Sequence, residues 1–122
     1  MEEVGAELEW IDTVKNFLRE RNIRFEAEES VRIHLNDVLI EISRLDEDKY
    51  IMLINIEIPK TLSIDEIDRY SSMYRDFLRI ISRASAEPMY ELDTSTGYVF
   101  LRASLEIHGL NNLINSLEKI LS

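Results

Sequence analysis

Apolar residues recur at two spacings along this chain, and the changes of spacing divide it into elements. Over residues 4–21, Trp10, Val14, Phe17 and Leu18, with Ala6 and Ile11 beside them, keep the i, i+3, i+4, i+7 spacing of one helix face. Asn22 tolerates the left-handed conformation that ends helices, so it is the expected stop. Ile23, Arg24 and Phe25 then alternate briefly, as a short extended lead-in.

From residue 31 to residue 58 the period is two. Val31, Ile33 and Leu35 alternate with Arg32 and His34, Asn36-Asp37 has the composition of a tight two-residue turn, and Val38, Ile40 and Ile42 alternate again. Pairing Leu35 with Val38 sets Ile33 opposite Ile40 and Val31 opposite Ile42 on one face. On the other face it sets His34 opposite Leu39 and Arg32 opposite Glu41, a favourable cross-strand pair. Asp46-Glu47-Asp48 makes the next turn. Tyr50, Met52, Ile54, Ile56 and Ile58 then line one face of a third strand, which Pro59 closes because it cannot donate to the ladder.

Residues 63–84 read as a second helix. Ser63 and Glu66 form a capping box, with Leu62 and Ile67 at the positions of a hydrophobic staple. Ile67, Tyr70, Tyr74, Phe77, Leu78 and Ile81 form its main apolar stripe, and Met73, Ile80 and Ala84 widen it. Pro88 ends the following loop. Tyr90 and Leu92 lead into the turn Asp93–Gly97, and Val99, Leu101, Ala103, Leu105 and Ile107 alternate with Phe100, Arg102, Ser104 and Glu106. Gly109 breaks that pattern, and Leu110, Leu113, Ile114, Leu117 and Leu121 return to helical spacing. The order is α-β-β-β-α-β-β-α. With no linker long enough to separate domains, it predicts one α+β domain over residues 1–122, a mainly antiparallel sheet with helices packed on it.

This order, at this length, resembles the secretion-chaperone-like fold, which includes the small acidic chaperones of type III secretion and the YbjN-like proteins. The likeness is strongest over residues 88–122, where a strand, a turn with Asp93 and Gly97, and a long strand ending near Ile107 lead through Gly109-Leu110 into a terminal amphipathic helix. The turns at Asn36-Asp37 and Asp46–Asp48 also fall where that fold has them. The resemblance implies a homodimer, built through the long second helix and an adjacent strand. It also implies a non-enzymatic role in holding an extended client segment against apolar patches.

Composition narrows the chemistry further. There is no cysteine, hence no disulfide, thiolate zinc site or thiol nucleophile, and three glycines leave no phosphate-cradling loop. His34 and His108 have no ligand-spaced neighbours, and Asp46-Glu47-Asp48 lacks the spaced ligands and glycine of a calcium loop. No metal, cofactor or catalytic residue is therefore assigned. Acidic residues outnumber basic ones 24 to 14. The excess is seven over residues 1–62, with 15 acidic against 8 basic, so nucleic acid and anionic lipid are not expected partners. The acidic start and the short apolar runs predict a cytoplasmic protein with no leader and no membrane span. Glutamine is absent, isoleucine occurs 16 times and arginine outnumbers lysine 10 to 4, choices that suit a thermophile's protein. In such an organism the chaperone fold would transfer without the type III client.

Three groups of residues are candidates for function. Leu39, Ile51, Leu53 and Phe100 fall on the sheet face otherwise lined by Arg32, His34, Glu41, Glu57, Arg102 and Glu106. They read either as a patch for a protein client or dimer partner, or as residues covered by the first helix or the N-terminal segment, or as scattered surface apolars. Tyr70, Met73, Tyr74 and Phe77 read either as a dimer contact or as core. Arg75, Arg79 and Arg83 recur every four residues and read either as an anion-binding strip or as a solvated face. The leading expectation is a homodimeric, non-catalytic protein-binding domain. A small-molecule or anion-binding domain that uses the arginine strip is the alternative.

Overall fold

The computed structural model describes residues 2–59, 61–93, 95 and 97–121, with the backbone alone for 2–8 and 87–93. Thr94 and Thr96 of the expected 93–97 turn, and the side chains of Ala6, Tyr90 and Leu92, lie outside the described residues.

Helix α1 spans Glu2–Glu20 and buries Trp10, Ile11, Val14, Phe17 and Leu18. It ends at Asn22, which takes φ 56°. The Ile23 N–H donates to the Leu18 carbonyl at 3.1 Å and the Asn22 N–H to that of Arg19 at 3.1 Å. This paired arrangement satisfies carbonyls that the helix end would otherwise leave open. Strands β1 (Arg24–Ala27), β2 (Val31–Leu35), β3 (Val38–Asp46) and β4 (Lys49–Pro59) follow. The expected lead-in is thus a full strand, paired from Arg24 opposite His34 to Ala27 opposite Val31. Its polar residues and the Glu28-Glu29-Ser30 turn disguise it as loop.

The β2–β3 register is the one that parity requires, Leu35 opposite Val38 through Val31 opposite Ile42. Asn36 takes φ 56° in the turn between them, as primed hairpin turns demand of their first residue. Parity fails in one place. The β3–β4 register shifts between Arg44 and Asp46, and the extra residue, Leu45, is left 55% exposed.

Helix α2 spans Ile64–Ala84, and the Glu66 carboxylate accepts from the Ser63 hydroxyl at 2.7 Å and from the Ser63 N–H at 3.3 Å. The staple expected of Leu62 and Ile67 leaves Ile67 47% exposed. Ser85 ends the helix at φ 58°. Strand β5 (Glu87–Asp93) starts before the expected position and includes Pro88, which a loop was expected to hold. β5 is an edge strand, where a missing N–H can face away from the ladder. Strand β6 (Tyr98–His108) and helix α3 (Leu110–Leu121) complete the chain.

Among the described residues, three helices lie against one six-stranded antiparallel sheet of order β1-β2-β3-β4-β6-β5. α1 packs on β1, α2 on β4 and β3, and α3 on β6 and both other helices. One cluster joins their apolar faces to Val31, Ile33, Ile40, Ile42, Met52, Ile54 and Ala103 of the sheet, each 0% exposed. Full burial of such aliphatic side chains is worth about 1.5–3 kcal/mol each, so this face holds the molecule together. Trp10 seals it from α1, edge-on to Tyr50 at 5.3 Å between ring centroids. Burial raises the Tyr50 pKa above its ordinary value. Close by, the Gly109 N–H donates to the Asp48 carbonyl at 2.7 Å, tying the β6–α3 corner to the β3–β4 turn.

Candidate binding surface

Because side chains alternate along a strand, burying one face of the sheet leaves the intervening residues on the other. The buried apolar side chains of all three helices join the cluster on the core face, so no described element covers the second face. Of the alternatives for this face, cover by the first helix does not hold for its described side chains: Trp10, Val14 and Leu18 belong to the core.

The register arranges the open face in rows. Leu39 lies opposite Asn55, and Asn55 opposite Arg102. In the next row Glu41 lies opposite Leu53, and Leu53 opposite Ser104. Beyond it Ser43 lies opposite Ile51, and Ile51 opposite Glu106. Leu39 and Leu53 are therefore diagonal neighbours on the two central strands, and Ile51 follows on β4, close enough for their side chains to meet. Phe100 pairs with Glu57 on one side and with Glu91 on the other. Strand β4 lies between Phe100 and Leu39, and the Asn55–Arg102 row lies between Phe100 and Leu53, so three of the four expected patch residues come together and Phe100 stands apart.

Polar bonds surround this apolar centre. Arg32 Nε donates to Glu41 Oε2 at 3.0 Å, Arg102 Nε to Asn55 Oδ1 at 2.7 Å, and Lys49 lies 3.4 Å from Glu106. Leu39, Ile51, Leu53 and Phe100 are each half-buried on this face. His34, opposite Leu39, keeps its Nε2 buried and without a hydrogen bond, 3.8 Å from the Glu26 carboxylate. Strand β1 brings Arg24 and Glu26 to this face, a widening that the sequence pattern did not reveal.

The other candidates are placed differently. Met73 (6% exposed) and Phe77 (0% exposed) belong to the core and have almost no surface to offer a partner, while Tyr70 and Tyr74 pack partly buried against it. The exposed apolar residues of α2 are instead Ile64, Ile67 and Leu78, of which the first was not singled out. Along the arginine strip, Arg75 donates to the Ser72 hydroxyl at 3.2 Å, Arg79 lies 3.1 Å from Asp76, and Arg83 is exposed. A shallow groove of about 740 Å³ runs between the end of α2 and α3, lined by residues that include Ser85, Ile107, His108, Asn112 and Lys119. Among the described residues no three His, Asp or Glu converge in a way that could hold a metal. No described helix is long and apolar enough to cross a membrane. Glu66, whose pKa is lowered by the bonds from Ser63, lies at the α2 cap and not on the open face.

No family model, curated protein or solved structure matches the chain.

Proposed function

We propose that the chain is a non-catalytic, chaperone- or adaptor-like protein-binding domain, homodimeric, whose docking surface is the open face of its sheet. One observation carries this reading. A six-stranded sheet buries only one face, and the other presents Leu39, Ile51 and Leu53 at its centre within a hydrogen-bonded polar rim. Apolar side chains ringed by polar ones are the usual anatomy of a protein interface. The helix and strand order supports a kinship with the secretion-chaperone-like group, and the acidic, cysteine-free composition suits a cytoplasmic setting. The anion-binding alternative has less support, since Ser72 and Asp76 already engage Arg75 and Arg79.

The test uses a reporter polypeptide. The chain should suppress aggregation of reduced insulin B chain, and Leu53→Asp should abolish the suppression while circular dichroism shows the fold retained and unfolding stays cooperative. Full suppression by the folded variant removes the open face from the account.

A further inference from the structure

We infer that the occupant of the open face is an extended basic segment of a partner polypeptide, with apolar residues on the Leu39–Leu53 centre and a lysine or arginine against Phe100 and Tyr98. This partner chemistry rests on the reading of that face as a docking surface. Three observations select it.

The first is charge. The register places Glu87, Glu91 and Asp93 of β5 in line with Ser104, Phe100 and Tyr98 of the open face. On the β1, β2 and β3 side, Arg24 and Arg32 stand against Glu26, Glu41 and Asp46, a balance of −1. On the β4, β6 and β5 side, Lys49 and Arg102 stand against Glu57, Glu87, Glu91, Asp93 and Glu106, a balance of −3. With its histidines neutral the face therefore carries −4 in all, concentrated on one side. Both cations of that side are already engaged, Lys49 by Glu106 and Arg102 by Asn55. Such a face repels anionic partners, a second copy of this chain among them, and attracts a cationic one.

The second is the setting of two aromatic rings. Phe100 sits in a row between Glu57 and Glu91, and Tyr98, 37% exposed, sits in the outer row between Pro59 and Asp93. Aromatic rings with carboxylates beside them suit an ammonium or guanidinium group. The ring face attracts the cation and the carboxylates accept its hydrogen bonds. The same rows offer nothing comparable to an acidic side chain. Phe100, which stands apart from the apolar centre, thus acquires a use of its own.

The third is spacing. Phe100 lies one strand across and four residues along from Leu53. At about 3.3 Å per residue and about 4.8 Å between strands, that is roughly 14 Å between Cα atoms. An extended chain covers roughly 13 Å in four residues, and residues four apart point to the same side. One segment laid along the sheet therefore sets an apolar residue on Leu53 and a cation on Phe100 without a bend.

The experiment is a fluorescence-anisotropy titration of the full chain with three rhodamine-labelled, threonine-based nine-residue peptides. All three have leucine at the third and fifth positions. At the seventh and ninth positions they carry lysine, serine or glutamate. The lysine peptide should bind at least roughly tenfold more tightly than the glutamate peptide, with the serine peptide between them. Glu57→Gln combined with Glu91→Gln should weaken the lysine peptide by roughly tenfold and leave the serine peptide unchanged. Phe100→Ala should also weaken the lysine peptide selectively, and it guards against a folding defect in the double variant. Asp12→Asn combined with Glu20→Gln removes the same charge from exposed positions on α1 and should change nothing. Leu53→Ser should weaken all three peptides.

Equal affinity for the three peptides, all weakened by Leu53→Ser, leaves the docking surface standing and overturns its basic partner. Equal loss in the two double variants overturns it as well, because overall charge and not the open face would then set the preference. No binding of any peptide, or binding that Leu53→Ser leaves unchanged, overturns the docking surface and the basic partner together.

Discussion

Ile54 and Leu53 are adjacent in sequence and face opposite sides of β4, so their truncation to alanine measures the two faces against each other. Ile54 is 0% exposed in the core cluster, and Ile54→Ala removes buried methyl groups and leaves a cavity. That costs about 3 kcal/mol, within the range of large-to-small core changes. Leu53 is half-buried by its strand neighbours with no element above it, so Leu53→Ala should cost about 1 kcal/mol. The unfolding entropy of a domain this size is about 0.26 kcal/mol/K, so the melting temperature should fall by about 12 °C and about 4 °C respectively. The assay is thermal and urea unfolding at a chain concentration low enough to remove any contribution from self-association. Equal losses for the two variants at that dilution would refute the two-layer account, because they would mean that Leu53 too is covered within its own chain.

Other substitutions test the remaining joints of the fold. Gly109 sits at φ 87°, so Gly109→Ala should destabilise by about 1–2 kcal/mol in urea unfolding. Ser85 holds the end of α2 at φ 58°, and Ser85→Gly should raise stability by about 1 kcal/mol, read as a shift in urea midpoint at constant slope. The bonds from Ser63 lower the Glu66 pKa below its ordinary 4.5. Their stabilisation is therefore fully present above pH 4.5 and is lost as pH falls through the lowered folded value. Acid titration of helicity should show this loss, and Ser63→Ala should flatten it.

Much of the core face was legible because its signal is local. Strand parity, with a two-residue turn at Asn36-Asp37, determines which side chains of β2 and β3 share a face, and one wrong step would have put Ile33 and Ile40 in water. The capping pair Ser63 and Glu66 marked the start of α2 for the same reason, since both residues lie within one turn. Features that depend on distant partners were not legible. The separation of Phe100 from Leu39 and Leu53 follows from β6 lying beside β4, a pairing across the whole of α2 and β5. The helical stripe of α2 pointed to its inner side, but periodicity alone could not show that the sheet and α3 would enclose Met73 and Phe77. β1 was hidden by its polar Arg24 and Glu26 and by the Glu28-Glu29-Ser30 turn after it, and Leu45 by a bulge that parity does not anticipate. The open face was readable as a set of residues, whereas its lack of cover required the position of every helix.

The most direct test of that face is methyl NMR with a soluble paramagnetic probe, recorded on dilute protein alone and with the lysine peptide. Alone, the methyls of Leu39, Ile51 and Leu53 should broaden strongly, while those of Met52 and Ile54 stay sharp. With the peptide the first three should become protected. Protection equal to that of Ile54 in both samples would contradict the open face itself, and broadening that the peptide never diminishes would contradict docking of the basic segment on it.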